Sequence, residues 1–463
     1  MAQEPSLKIN FFNERVISVS FLDVTDTPLV PGVVNFSNVF LRDASTSLDS
    51  INPISKQKLF STGQISRGIR AIQAPQIISV SATDGVSEWA MEVNWSDGNV
   101  SIYKESFLKK YSSPETRIHG RYFEENWQLW DNSIITKAEN HLFIDFDKYM
   151  EDEPSLLQAM KNLNKYGLTF IKNIPKQLDS EGKPKLVNDE WFVESIAQRI
   201  GYIRETFYGR LFDVQSKKDA KNIAYTNGYL GLHMDLMYYE SPPQLQLLHS
   251  ITNRVEGGGS FFADSYAAVN EVSETDTQAY TAMTEIPVNF HYDNAGENYW
   301  YSRPMVVEDP DQIDPRTDHQ LIRHVNYSPP FQAPFDIGIT SPLKKIGEFE
   351  NLSQLDIGYR HSAAASGKRH VFREFHRGLQ AFEKFINNES NQYKLKLEEG
   401  VCVIFDNRRV LHAREGFNSK DNCQEEIEYE RWFKGAYIDT DAYYSKMRVL
   451  FRRYGVDKEN YLY

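Results

Sequence analysis

Residues 222–272 read NIAYTNGYLGLHMDLMYYESPPQLQLLHSITNRVEGGGSFFADSYAAVNEV, and this stretch decides the fold class. Two apolar runs of strand length, 244-QLQLLHSI-251 and 260-SFFADSY-266, are bounded by Pro242-Pro243 and by the glycine turn 257-GGGS-260. Those glycines lack the spacing of a dinucleotide fingerprint and the lysine of a phosphate loop, so a turn is the reading. Helical spacing starts at 266-YAAVNEV-272. Downstream, 286-IPVNFHY-292, 401-VCVIFDN-407 and 429-YERWFKGAYID-439 are again β-rich, and 368-KRHVFREFHRGLQAFEKFINN-388 is an amphipathic helix between them. Strands this frequent with few helices predict a mainly antiparallel barrel or sandwich rather than a doubly wound sheet.

Upstream, 154-PSLLQAMKNLNKYG-167 predicts a helix stopped by Gly167, 168-LTFIKNI-174 a buried strand, and 190-EWFVESIAQRIG-201 a second helix. The first 115 residues read as short β pieces. Among them 87-SEWAMEVNW-95, the turn 96-SDGN-99 and 100-VSIYK-104 form a hairpin signal. The amphipathic 105-ESFLKKY-111 closes this region and 112-SSPET-116 reads as a linker, giving a small β-rich domain over 1–115 and a larger one over 120–463.

Composition narrows the function classes. The 463 residues are 41% hydrophobic and 25% charged, ordinary for a soluble protein with a large core. Two cysteines, Cys402 and Cys423, exclude a disulfide framework and a thiolate-rich zinc site. A net charge of −13 argues against a general nucleic-acid binder. No apolar run reaches membrane-helix length. The start, 1-MAQEPSLKINFFNER-15, has an acid at Glu4, no apolar signal core and no arginine-rich transit pattern. A reduced, cytoplasmic setting is expected.

Chemistry is sought among the 11 histidines. Two His-x-Asp triplets occur, 233-HMD-235 and 291-HYD-293, against about one expected by chance. On a strand, residues i and i+2 face the same way, so such a pair could chelate one ion. A third ligand, for which His412 in 406-DNRRVLHAREGF-417 is the candidate, would complete two imidazoles and one carboxylate. That set leaves positions open and suits non-haem Fe(II). His233 follows the glycine-punctuated 225-YTNGYLGL-232 and precedes two prolines, a loop setting that favours it over His291, which lies inside an alternating strand.

The 222–272 stretch, together with 400-GVCVIFDNRRVLHAREGF-417 and 431-RWFKGAYID-439, resembles the γ-butyrobetaine and trimethyllysine hydroxylases of the taurine dioxygenase superfamily. The likeness extends over nearly the whole chain. It implies a double-stranded β-helix (jelly-roll) catalytic domain, with His233, Asp235 and His412 as catalytic iron ligands. It implies 2-oxoglutarate as cosubstrate, bound by Arg431 and by Ser260 after the Gly-Gly turn. Arg suits the far carboxylate because it is permanently charged and bidentate; Arg414 is a rival, nearer to His412 in sequence. The implied reaction couples oxidative decarboxylation of 2-oxoglutarate, to succinate and CO2, to hydroxylation of a substrate carbon.

In the butyrobetaine enzymes an aromatic cage holds the trimethylammonium group, which cannot donate hydrogen bonds. The matching positions are Tyr208, Phe212, Tyr225 and Tyr437, with Asn222 matching an amide that contacts the substrate carboxylate. Leu236 stands where that enzyme has an aromatic, and Phe212 where it has Trp. The first reading is therefore a γ-butyrobetaine-like substrate and carnitine biosynthesis. The alternative is a same-family oxygenase of secondary metabolism that hydroxylates, desaturates or cyclises a non-betaine substrate. A remote alternative is a catalytically dead binding protein. The N-terminal segments 38-NVFLRDASTSLDS-50 and 93-VNWSDGNVSIY-103 resemble the family's small zinc domain, but Ser45, Ser47, Ser50 and Asn99 fall where three cysteines and a histidine hold zinc. The expectation is the same fold without structural zinc, packed by Phe40, Leu41, Trp95 and Tyr103. The resemblance also implies a homodimer, with O2, 2-oxoglutarate and a small molecule as partners, and no nucleic acid or membrane. The acidic 309-DPDQIDPRTDHQ-320 reads as an exposed loop.

Overall fold

The structure, a computed structural model, describes residues 5–22, 30–81, 87–114, 116, 127–179, 183–186, 188–215, 227–313, 320–335, 358–359, 370–418 and 430–454. It divides into two compact units, Met1–Glu125 with Tyr454–Tyr463, and Asn126–Arg453.

The first unit carries two three-stranded antiparallel sheets. One contains β1 (Leu7–Phe12), β2 (Val16–Phe21) and β3 (Val33–Ser37), followed by the short helix α1 (Asn38–Asp43). The other contains β4 (Gln76–Ser81), β5 (Ser87–Asn94) and β6 (Val100–Lys104), closed by α2 (Glu105–Lys110). The 96-SDGN-99 turn forms because Gly98 takes φ +84°, open to glycine at little cost. Alternation on β6 buries Ser101 and Tyr103 and exposes Val100 and Ile102. Leu41, Trp95 and Tyr103 are buried together, and Phe40 packs on them beside Phe36 and Phe107.

Beneath this packing lies a polar knot. Asn99 Nδ2 donates to Ser47 Oγ at 2.8 Å and to Ser50 Oγ at 3.4 Å, and Ser45 Oγ donates to Asn99 Oδ1 at 3.2 Å. Ser101 Oγ and Trp95 Nε1 join the same network. The four positions aligned with a zinc site do come together, as neutral hydroxyl and amide groups bonded to one another. That donor set does not fit zinc, which favours thiolate and imidazole. Within the segment read as a linker, Ser113 Oγ accepts from the Thr116 amide at 3.1 Å and Thr116 is buried. That bond is the one an N-cap serine makes at a helix start.

The second unit is mainly β with helices. Its strands are β7 (Phe143–Asp145), β8 (Leu168–Lys172), β9 (Phe212–Gln215), β10 (Leu230–His233), β11 (Leu245–Asn253), β12 (Glu256–Gly257), β13 (Ser260–Asp264) and β14 (Pro287–Asn294). They continue with β15 (Glu297–Pro304), β16 (Val306–Ile313), β17 (Gln320–Val325), β18 (Gly358–Tyr359), β19 (His370–Val371) and β20 (Gln392–Leu395). The last are β21 (Cys402–Asp406), β22 (Val410–Arg414), β23 (Phe417–Asn418) and β24 (Arg431–Ile438). A six-stranded sheet runs β7-β8-β21-β11-β24-β9, and a four-stranded sheet runs β10-β22-β13-β20. Every pair in them is antiparallel except β7 with β8. Phe262 from the smaller sheet meets Phe405 of the larger one, ring centroids 5.8 Å apart, in a core shared with Phe170, Val403 and Phe433.

Helices α3 (Asn132–Leu142), α4 (Phe146–Glu151), α5 (Glu153–Tyr166), α6 (Phe192–Ile200), α7 (Ser265–Thr275), α8 (Thr277–Glu285), α9 (Phe372–Ile386) and α10 (Thr440–Tyr454) complete the unit. α5 stops where predicted, with Gly167 at φ +71°. A Cβ there would lie 2.7 Å from Val410 Cγ2, so the turn into β8 packs against β22 only because the residue is glycine. The acidic stretch from Asp309 is not all loop: β16 runs through Ile313, and Asp309 is buried. Pairing with β17 supplies the backbone partners that the polar sequence hid. Among the described residues no helix is long and apolar enough to cross a membrane.

Candidate metal centre

β10 and β22 pair so that His233 faces His412 in register. β10 ends at His233, so strand alternation does not place Asp235, contrary to the spacing argument. A turn does. Asp235 N donates to Asn407 Oδ1 at 2.8 Å, and Asn407 Nδ2 donates to Asp235 O at 2.9 Å. Leu236 follows at φ +60°, a left-handed conformation that costs a leucine about 1–2 kcal/mol. The surrounding bonds hold the chain in it.

The ligand atoms of His233, Asp235 and His412 all lie within 4.8 Å of one another. Asp235 Oδ1 is 3.4 Å from His233 Nε2 and 4.0 Å from His412 Nε2. His233 Nδ1 donates to Gly231 O at 2.8 Å, which fixes the tautomer and turns the Nε2 lone pair to the site. Burial pushes the His412 imidazole down to about 3, helped by the neighbouring His233, so it is neutral. Burial opposes the charge on Asp235, but its contacts with the His233 and His412 imidazoles and the bond from the Tyr437 hydroxyl outweigh burial and hold the carboxyl below its usual range. Two imidazoles and one ionised carboxylate converging on a point fit Fe(II). The other triplet lies elsewhere: His291 is on β14, edge-on to its cross-strand partner Trp300.

The connection 406-DNRR-409 is held on every side. Gln244 Nε2 donates to both oxygens of Asp406 at 2.8 and 2.9 Å. Asp406 N donates to Gly167 O at 2.8 Å and Asn407 N to Gln244 O at 2.7 Å. Arg409 makes a buried two-pronged pair with Asp264, at 3.0 and 2.9 Å.

A cavity between the two sheets opens onto the three ligands. At one end stand Ser260, Arg414 and Arg431, with Ser260 opposite Arg414 in the β13–β22 register. Arg431 is buried rather than a surface cation, its Nε has no hydrogen-bond partner among the described residues, and burial with Arg414 nearby pushes its guanidinium down to about 9. Gly258 leaves room beside it: a Cβ there would sit 3.5 Å from Arg431 Nε. A buried guanidinium lining the same cavity as a serine hydroxyl fits an organic carboxylate such as that of 2-oxoglutarate.

At the other end the walls are Tyr208, Phe212, Leu236 and Tyr437, joined by Tyr238 and Phe331. Phe212 stacks on Tyr437, centroids 4.7 Å apart and 20° from parallel, in space left by Gly435. A Cβ on Gly435 would come within 2.1 Å of the Phe212 ring. Asn222 and Tyr225 lie outside the described residues. Sequence reasoning missed Gln246, Tyr238 and Phe331. For Gln246 the signal was a glutamine inside the apolar run 244-QLQLLHSI-251; for the two rings, one in a turn and one ending a short 3-10 helix, there was none.

Comparison with known proteins follows the same lines. Residues 135–437 match the family described as "Taurine catabolism dioxygenase TauD, TfdA family". The chain is 34% identical over 418 residues to "Dioxygenase str8" of Strobilurus tenacellus, covering 89% of this chain and 84% of that one. It is 34% identical over 469 residues to "Probable oxidoreductase AIM17" of Saccharomyces cerevisiae, covering 97% and 91%. To the "Gamma-butyrobetaine dioxygenase" of a Pseudomonas strain it is 26% identical over 437 residues, covering 94% of each.

Proposed function

The chain belongs to the TauD, TfdA family, and on that premise we propose that it hydroxylates an unactivated C–H bond of a small amine or amino acid, with a γ-butyrobetaine-like compound as the first substrate to try. Dependence on Fe(II) and 2-oxoglutarate is the family's. The observation that carries the reading is the shared cavity, lined at once by the three ligand side chains, two arginines and a serine, and a set of aromatic rings.

His233, Asp235 and His412 hold the iron, and Arg431 with Ser260 holds the far carboxylate of 2-oxoglutarate. When bound, the iron supplies activation of O2, coupled to decarboxylation of the cosubstrate to succinate. Neutral His412 and ionised Asp235 are ready to bind metal without first shedding protons. Tyr208, Phe212, Leu236 and Tyr437 wall the substrate end and exclude water from it. Packing among Leu41, Trp95 and Tyr103, with hydroxyl and amide groups at the zinc-aligned positions, supports a metal-free N-terminal domain preceding a jelly-roll catalytic one in the chain.

Leu236 favours a second reading. It removes one π face from a cation cage, and identity to the butyrobetaine enzyme is lower than to the two other relatives. The same chemistry then serves secondary metabolism on a non-betaine, amino-acid-derived substrate. Anaerobic reconstitution with Fe(II) and 2-oxoglutarate, then O2 and a panel of amines, separates these readings. One added oxygen on γ-butyrobetaine, matched by succinate, supports the first. Succinate with the trimethylammonium compounds unchanged moves the search to other amines. No iron binding and no succinate would leave only a binding protein.

A further inference from the structure

One polar side chain in the cavity has no task in the reading above. Gln246, on β11, is 1% exposed and lies in register with Phe405 on β21 and Tyr437 on β24. Its Nε2 donates to Asp235 Oδ2 at 2.8 Å, and the Tyr437 hydroxyl donates to the same oxygen at 2.8 Å. The other carboxylate oxygen, Oδ1, faces the two imidazoles. The carboxylate is thereby divided, with one oxygen tied to protein donors and one turned to the histidines.

Among the described residues Gln246 makes no other side-chain hydrogen bond. Its Oε1 is buried with no partner among the described residues, a cost that an apolar side chain would avoid. Leu248, two residues along the same face, fills its place in that way. The amide cannot turn over to relieve the oxygen, because Oε1 would then face the carboxylate. An arrangement that accepts an unmet acceptor to make one bond to Asp235 is built around that bond.

We propose that Gln246 is a positioning residue which, with Tyr437, fixes Asp235 as a one-oxygen ligand. The inference rests on the iron reading above. A carboxylate that closed on the metal with both oxygens would take a coordination position that the His-His-Asp set otherwise leaves open. Gln246 prevents this by occupying Oδ2, and it sets the direction in which Oδ1 points.

The test uses the full chain and three variants: Gln246→Met, which keeps length and loses the donor, Tyr437→Phe, which keeps the ring, and the two combined. Fe(II) alone is titrated anaerobically by equilibrium dialysis, the visible absorption formed with 2-oxoglutarate is recorded, and urea unfolding of the metal-free proteins is followed. Each single variant should bind Fe(II) about 10–100-fold more weakly, with a shifted absorption band. The double variant should lose less than the product of the two, because both groups hold one oxygen. The metal-free urea midpoint of Gln246→Met should stay unchanged or rise. Equal Fe(II) affinity and an unmoved band in Gln246→Met overturn the proposal while leaving the iron reading standing. A loss of affinity matched by a fall in the urea midpoint overturns it in favour of a structural role. Failure of the unaltered chain to bind Fe(II) overturns the iron reading and this inference with it.

Discussion

His233 and His412 stand directly opposite each other on β10 and β22, their ring centroids 4.2 Å apart. Two ligands 179 positions apart in the chain are thus brought together by strand register alone. A slip of one residue in that pairing would turn His412 away from His233 to the opposite face of the sheet. The third ligand depends on a turn, so the site combines a rigid pair with one separately fastened carboxylate.

The Arg431 end gives the first prediction. Replacing a buried two-pronged cation by a point charge removes a charge-assisted bond in a dry setting. Arg431→Lys should cost about 2 kcal/mol or more, roughly thirtyfold in 2-oxoglutarate affinity. Arg414→Lys should cost less if Arg431 is the main anchor. Anaerobic titration of the cosubstrate compares them, and a larger loss at Arg414 would exchange their roles.

At the substrate end, Leu236→Phe adds a ring to the cavity wall. A further π face near a quaternary ammonium is worth about 0.5–2 kcal/mol. Binding of γ-butyrobetaine should tighten about 2–30-fold, while a neutral isostere should gain nothing. Equal effects on both ligands would mean that cation recognition does not occur there.

His249, on the face of β11 away from the cavity, governs part of the acid sensitivity. Burial pushes it down to about 3, whereas an unfolded histidine titrates near 6.5. Between these values the unfolded chain binds more protons, so stability falls as pH drops from 6.5 towards 3. At pH 5 the loss from this group is about 2 kcal/mol relative to pH 7. Urea unfolding of His249→Leu at both pH values should show a pH-induced loss smaller by that amount. Parallel losses in the two proteins would place the acid sensitivity elsewhere.

In the N-terminal unit, Asn99 bonds to four serines, Ser45, Ser47, Ser50 and Ser101, through one amide. Asn99→Ala strands buried hydroxyls and should destabilise by about 1–3 kcal/mol. Purified protein should hold less than stoichiometric zinc, and chelator should leave the unfolding of this unit unchanged. Zinc that survives removal of the iron would refute a metal-free reading of the serine-asparagine knot.

How far could the sequence be read? His233 and His412 were legible because strand ends and flanking glycines leave a local signature, and the family resemblance joined them across the chain. Arg431 was visible as a residue but not as a buried one: 425-EEIEYE-430 beside it suggests surface, while β24 in fact lies inside the sheet. The strand end at His233 and the clamp by Asn407 were hidden, because both depend on hydrogen bonds between segments more than 170 residues apart. Local period can propose that two side chains share a face; it does not say which carbonyl will stop the strand. Asp309 shows the converse error, an acid in polar surroundings that a neighbouring strand buries.

The 406-DNRR-409 connection carries one more implication. It grips the main chain of Asp235 through Asn407, is itself tied to Gln244, Gly167 and Asp264, and leads within three residues to His412. Opening the metal centre therefore means breaking bonds that belong to the sheets and to the turn after α5. Amide exchange at Asp235 and Asn407 should be as slow as in the core strands, with or without metal. Metal should therefore load onto this centre without refolding of the sheets, because the hydrogen bonds that place the three ligand side chains are the protein's own.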